Sequence, residues 1–335
     1  MAEFYRLLTC RPLPVIVDGQ TVEGMNDTML TISQDEFGGP EVLKPVTVPV
    51  PEPGLGEILI RVHAAGVNPV DTYNREAGAL IGEPPFVLGW DVSGTVEAVG
   101  AGVTLYGVGD EVFGMLPFPH GHGAFAQYVV APTRAFVPKP ENLGHVQAAA
   151  LPLAGLTAWQ ALVETARIGK DSRVLINGAA GGVGHLAVQI AKAHGAHVVA
   201  VASARNADFV RSLGADDVID YTTTDFTRTV RDLDAVLEAV GGDYLVRALD
   251  CLKPGGIIVT TLPHTLADAL PEAARRGVRA AGLFVEADRI GMSALAELAA
   301  SGRLVPTVDA TYPLEQAGAA QAARTGRGKT VVTVA

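Results

Sequence analysis

The chain is 335 residues long, more than one hydrophobic core usually serves, so two domains are expected. Apolar residues make up 48% and charged residues 18%, a globular balance that excludes long disordered stretches. The formal net charge of −11 sets the surface against phosphate backbones and anionic lipid, so neither nucleic acid nor membrane is an expected partner.

Residues 1–28 match none of the patterns that follow and are read as an N-terminal extension of unassigned role. They lack the basic region, long apolar core and small-residue cleavage site of a secretory signal. Cys10 and Cys251 lie too far apart to suggest a disulfide framework or a metal site. Two reduced thiols in a cytoplasmic protein are expected. No apolar run approaches the ~20 residues of a membrane helix.

Residues 29–150 read as short strands broken by Gly and Pro, among them 58–64, 92–99 and 126–130, and this spacing predicts a β-barrel or sandwich. Residues 151–283 change period. Strands at 174–177, 198–201, 218–220, 235–239, 256–260 and 278–283 alternate with helical patterns. Such alternation predicts a doubly wound parallel sheet of the Rossmann kind. In the helix over 182–194, Val183, Leu186, Ala187, Ile190 and Ala191 form one apolar face. Residues 284–335 end in a strand, 330–335, expected to rejoin the first domain.

The sharpest local signal is the run from Val174 to Gly184, a strand entering a glycine-rich turn that opens a helix. Gly181 and Gly184 take the second and third places of a G-x-G-x-x-G pattern, and Ala179 takes the first. Such a turn brings backbone close to a pyrophosphate, and the helix N-terminus offers it free N–H groups and a positive dipole end. The second strand ends without the acid that usually holds a ribose 2′-hydroxyl. Ser203 and Arg205 stand there instead, suited to a 2′-phosphate, so NADPH is the expected cofactor. Ser203 as a simple helix cap and Arg205 as a solvated surface residue is the plainer reading.

Several runs together resemble the zinc-independent quinone oxidoreductases, the zeta-crystallin-like family of the medium-chain dehydrogenase/reductase superfamily. They are Asp35–Leu43, His63–Tyr73, Leu88–Gly94, Ala149–Trp159, the glycine turn and Leu213–Tyr221. The resemblance covers roughly residue 29 to the end. It implies an α/β chain with a GroES-like β-barrel domain and an inserted Rossmann NADP-binding domain, an active site between them, and a homodimer. It also implies the cofactor contacts. Ala180, Gly181, Gly182 and Val183 are expected at the pyrophosphate, and Ser203, Arg205 and Tyr221 around the 2′-phosphate and adenosine. Val240, Gly241 and Leu262 are expected along the following loops. Leu283, Phe284 and Val285 are expected at the nicotinamide, with Lys329 and Tyr73 as further candidates.

Zinc-dependent relatives of this fold place Cys, His and Cys where this chain has Asn68, Trp90 and the Leu153–Ala154 region. The stretch 94–130 contains no cysteine for a structural zinc. His120 and His122 have no matching third ligand and are read as loop residues, so no metal is expected. Without a metal, the chemistry needs a hydride donor and a hydrogen-bond donor where negative charge develops on the acceptor oxygen. Tyr73 and Asn68 are the catalytic candidates, while Asp71 is expected to anchor their turn through backbone N–H groups. The expected reaction is NADPH-dependent reduction of a small-molecule quinone or activated enone. An enoyl-thioester reductase is the alternative enzyme. A non-catalytic NADPH-binding structural or RNA-associated protein is the alternative from another class.

Overall fold

The computed structural model describes residues 27–323 and 326–335. Almost all of the expected N-terminal extension, with Cys10, lies outside the described residues.

The first part of the chain runs β1 (Thr28–Gln34), β2 (Lys44–Pro49), β3 (Glu57–Gly66), α1 (Pro69–Ala77), β4 (Phe86–Val87), β5 (Asp91–Val99), β6 (Glu111–Met115), β7 (Tyr128–Pro132) and β8 (Phe136–Pro138). β1 pairs with β2 and β4 in a small sheet, and β3, β5, β6, β7 and β8 belong to a larger one. Ile58, Ile60, Val62, Val92, Phe113 and Phe136 are completely buried between them. Burying each such side chain contributes roughly 1.5–3 kcal/mol, which holds these short strands together.

α1 is built from its ends. Pro69 occupies the first turn, where a missing N–H costs nothing, and Gly78 closes the helix at φ +57°. Asp71 Oδ2 accepts from Asn68 N at 2.7 Å and Oδ1 from Gly89 N at 3.0 Å, as expected of a turn anchor.

Two helices, α2 (His145–Ala149) and α3 (Pro152–Trp159), lead out of the barrel. Next come β9 (Arg173–Asn177), α4 (Gly184–Ala193), β10 (His197–Ala202), α5 (Ala207–Ser212), β11 (Asp217–Asp220), α6 (Phe226–Thr229) and β12 (Leu233–Glu238). α7 (Tyr244–Arg247), β13 (Leu252–Thr260), α8 (Leu266–Arg276) and β14 (Arg279–Gly282) complete the series. The six strands are parallel in the order β11-β10-β9-β12-β13-β14. The order reverses direction between β9 and β12, and a crevice opens beyond the carboxyl ends of strands at such a switch point.

The tail contributes α9 (Arg289–Ala300), β15 (Val308–Pro313), α10 (Ala317–Ala322) and β16 (Lys329–Thr333). β16 runs antiparallel to β3, pairing Val331 with Gly66 and Thr333 with Ala64, and parallel to β15. The larger sheet of the GroES-like barrel domain thereby includes the last strand of the chain, between β15 and β3.

The tail also covers the first Rossmann helix beyond its apolar face. His185, Val188 and Gln189 of α4 are buried together with Leu186, Ala187, Ile190 and Ala191. The other side of the helix is covered by the segment before β15. Gln189 exchanges two hydrogen bonds with Val305, at 2.8 and 3.1 Å, and Thr307 N donates to His185 Nε2 at 3.1 Å. Among the described residues, no helix is long and apolar enough to cross a membrane.

Candidate active site

A cleft of about 960 Å3 lies between barrel and parallel sheet. One wall is α1, on which Pro69, Thr72, Tyr73, Glu76 and Ala77 recur at helical spacing and face the cleft. Its opposite face, Asp71, Asn74 and Arg75, is buried in the barrel. The other wall is the glycine turn after β9 and the loops after β12, β13 and β14.

The turn is shaped for close approach. Gly178 holds φ +76° and its carbonyl accepts from Gly181 N at 3.0 Å. A side chain on Gly184 would overlap that same carbonyl oxygen and press on Ala179 Cα, so α4 starts tight against β9 only because Gly184 has none. The left-handed residue of the turn is Gly178, one position before Ala179, which takes the first place of the pattern. Gly181, Gly182 and Val183 border the cleft. Ala180 sits beneath them, 7% exposed, and its carbonyl accepts from Gly328 N at 2.9 Å, tying the turn to the tail. A glycine cradle of this kind, at a helix N-terminus beside a switch point, fits a dinucleotide pyrophosphate.

His185, in the first turn of α4, escaped sequence reasoning. Its Nδ1 lies 2.9 Å from Gly181 O, and its Nε2 accepts from Thr307 N. One nitrogen donates and the other accepts, so the ring is neutral. Burial pushes its pKa down to about 4, outweighing the Gly181 carbonyl's pull in the other direction. Glu238, at the end of β12, was missed as well. It is fully buried, takes a 2.6 Å bond from Asn177 Nδ2 across the switch point, and accepts from Val240 N and Gly241 N at 2.7 and 2.8 Å. It thereby shapes the loop on which the expected contacts Val240 and Gly241 stand. A buried acid at a strand end has no period of its own, so nothing in the sequence marked it.

Val240, Leu262, Leu283, Phe284 and Val285 all border the cleft, whereas Gly241 is buried behind it. Gln160 pins the last of these loops, donating to Glu286 O at 2.9 Å and accepting from Glu286 N at 3.0 Å. Ser203, Arg205 and Tyr221 stand apart from the cleft lining, at the ends of β10 and β11. Ser203 makes no side-chain cap, so its hydroxyl is not spent as the plainer reading required. Arg205 is exposed, and beside it the structure places a residue the sequence did not flag. Arg327 donates to Arg205 O at 3.1 Å and Asn206 Oδ1 at 3.0 Å and lies over the Phe209 ring.

At the floor of the cleft, Asn68, Asp71, Asp91 and Lys329 form one buried network. Asn68 Nδ2 donates to Asp91 Oδ2 at 2.8 Å, and Lys329 Nζ donates to Asn68 Oδ1 and, at 2.7 Å, to Val67 O. Lys329 Nζ lies 3.5 Å from Asp91 Oδ2, and Asp91 Oδ1 accepts from Leu153 N at 2.6 Å. Burial raises the Asp91 pKa, pushes Asp71 up to about 7 and lowers Lys329. The Asn68 amide is thus committed to its neighbours on both sides, and Tyr73, 51% exposed, is the catalytic candidate whose side chain is open to the cleft. Lys329 reaches the glycine-turn wall through its stem, which would crowd a side chain on Gly182.

Trp90, where zinc enzymes carry a histidine, is fully buried, stacked edge-on against Phe118 and His122. His122 Nδ1 lies 2.8 Å from Val87 O. Among the described residues no three His, Cys, Asp or Glu side chains group to hold a metal.

A GroES-like barrel and a Rossmann sheet enclosing one cleft define a two-domain nicotinamide-dependent oxidoreductase. Residues 54–141 match the alcohol dehydrogenase GroES-like domain, and residues 213–332 match the zinc-binding dehydrogenase family. The chain is 35% identical to the mitochondrial NAD(P)H oxidoreductase RTN4IP1 of Danio rerio, over 83% of its own length and 84% of the relative's. It is 35% identical to a 2-haloacrylate reductase of a Burkholderia species, over 87% and 93%. The quinone oxidoreductase structure from Coxiella burnetii superposes with a TM-score of 0.86 and 38% identity, covering 92% of this chain and all of that one. The chain belongs to the zeta-crystallin-like quinone oxidoreductase family of the medium-chain dehydrogenase/reductase superfamily, and is an NAD(P)H-dependent oxidoreductase.

Proposed function

We propose that the protein uses NADPH, without a metal, to reduce quinones or activated enones. The observation that carries this reading is the single cleft with the glycine turn on one wall and the open face of α1, bearing Tyr73, on the other. Gly181, Gly182 and Val183 hold the pyrophosphate, and Leu283, Phe284 and Val285 border the nicotinamide. When bound, NADPH supplies a hydride. The Tyr73 hydroxyl donates a hydrogen bond to the acceptor oxygen as negative charge builds there. Asn68 is a positioning residue that holds Lys329 against the cofactor wall, and solvent delivers the final proton.

The preference for NADPH over NADH rests on Ser203 and on two cations, Arg205 and Arg327, gathered at the end of β10. β10 itself ends without an acid; Asp220, registered beside Ala202 at the end of the neighbouring β11, is engaged by the Thr222 backbone and hydroxyl. Absence of a metal role is supported by the residues themselves: a buried indole and a committed carboxamide stand where ligands would be needed. A cytoplasmic homodimer completes the proposal, and sedimentation velocity tests the dimer.

Chelator-treated protein is mixed with NADPH or NADH and a panel of quinones, enones, aldehydes and a crotonyl thioester. Faster loss of NADPH with quinones or enones, indifferent to chelator, is expected. Turnover confined to the thioester would move the assignment to an enoyl reductase, and NADPH binding without any turnover would move it to a non-catalytic protein. Arg205→Glu and Arg327→Glu should each lower the NADPH-over-NADH ratio of kcat/KM by roughly tenfold or more, as loss of a charge-assisted phosphate contact does. An unchanged ratio in both variants would remove the 2′-phosphate assignment.

A further inference from the structure

The acceptor side of the cleft carries a charge pattern of its own. Its acid is Glu76, on the open face of α1, with Oε1 2.8 Å from Arg75 Nη2. Arg75 is the neighbouring cation, but its side chain is 4% exposed and its nitrogens are spent. Nε donates to Gly38 O at 3.1 Å, Nη1 to Gln321 Oε1 at 2.7 Å and Nη2 to Glu76. Among the described residues, the cationic or titratable nitrogens bordering the cleft belong to Lys329 and His264. Lys329 is buried in its network, and His264 stands on the opposite wall, after β13. An anionic acceptor entering along α1 would therefore meet Glu76 with no uncommitted cation beside it.

The same space is bounded by aromatic faces from both domains. Phe118 of the barrel and Phe284 of the loop after β14 lie 4.9 Å apart, and Trp90 backs Phe118 at 5.3 Å. Phe284 is 45% exposed, so its ring is available to a partner. Resting on the cleft being the acceptor site, we propose that it selects flat, electrically neutral acceptors. Phe118 and Phe284 provide the stacking surface, and Glu76, by masking Arg75, filters out anions.

The test compares 1,4-naphthoquinone with its 2-sulfonate in the wild-type protein and in Glu76→Gln, with NADPH. Comparing the two proteins cancels the intrinsic reactivity difference between the quinones. Glu76→Gln is expected to raise sulfonate use relative to naphthoquinone by roughly fivefold at low salt, and by less at about 0.5 M salt, because a partly exposed charge is screened. Phe284→Leu is expected to lower kcat/KM for naphthoquinone about tenfold more than for methyl vinyl ketone, which has no ring to stack. A Glu76→Gln ratio equal to wild type, or equal losses for both acceptors in Phe284→Leu, would overturn the proposal while leaving the reductase assignment standing. If no acceptor oxidises NADPH, the assignment itself fails. Quenching of tryptophan fluorescence by the two quinones then decides the selectivity: tighter wild-type binding of the neutral quinone, narrowed in Glu76→Gln, supports it, and equal affinities refute it.

Discussion

His185 shows how much one side chain at the glycine turn can depend on its protonation state. Its neutral ring bridges Gly181 O and Thr307 N, and its folded pKa of about 4 lies below the ordinary value of 6.5. A depressed histidine pKa means that the unfolded chain takes the proton first. The stabilisation is complete above pH 6.5 and is lost as pH falls toward 4. Between pH 7 and pH 5 the group should cost the fold about 2 kcal/mol. Urea midpoints of wild type and His185→Gln at the two pH values test this: the wild type should lose about 2 kcal/mol more than the variant over that interval. Equal losses would show that the ring does not titrate with unfolding. Tyr73 carries the chemical prediction at this scale. Tyr73→Phe keeps the ring and removes the donor, so kcat should fall by roughly tenfold to a hundredfold with little change in KM. Stopped-flow measurement of NADPH oxidation checks it, and an unchanged kcat would leave the proton and the charge to solvent alone.

The unit β9–turn–α4 was readable because strand, glycine turn and helix each have a local signal and they occur in succession. What the pattern does not mark is the residue with positive φ. Gly178 precedes the pattern's first position and answers to the path of the chain over β10, where Ala179 N donates to Val201 O at 3.0 Å. Gly184 answers to packing. Gly184→Ala should destabilise the protein by about 2 kcal/mol, because the new methyl must displace the Gly178 backbone rather than a mobile side chain. NADPH affinity should fall with it, whereas Gly144→Ala, where a methyl meets open space, should leave the urea midpoint near wild type. α1 presents the reverse case. Its sequence mixes Tyr, Asn, Arg and Glu without an apolar stripe, because one face meets a polar buried network and the other a cleft. Asp71 was legible there as a turn anchor, since Asn-Pro-Val-Asp is local chemistry. The commitment of Asn68 was not, since its partners Asp91 and Lys329 are 23 and 261 residues away.

At the scale of the whole molecule, the Asp91–Lys329 pair fastens the last strand to the barrel and the barrel to α3. Removing one partner strands a buried charge. Asp91→Asn should cost about 3 kcal/mol, and the double variant Asp91→Asn/Lys329→Met should recover a large part of that loss. A denaturation cycle over the four proteins measures the coupling, and strictly additive losses would show that the two charges act independently. Composition, strand spacing and the alternation after residue 150 determined on their own that this chain has a barrel-like first part and a doubly wound second part. The glycine turn pointed to a place for a dinucleotide phosphate. These properties rest on short-range period and on backbone freedom, which neighbouring residues specify. Tertiary structure alone decided that α4 is buried on both sides and that Glu238 shapes the switch-point loop. It alone brought Arg327 beside Arg205, and spent Asn68 on a buried network while leaving Tyr73 open. Each of these depends on residues far apart in the chain meeting across a strand pairing or a domain boundary, and no local pattern encodes such a meeting.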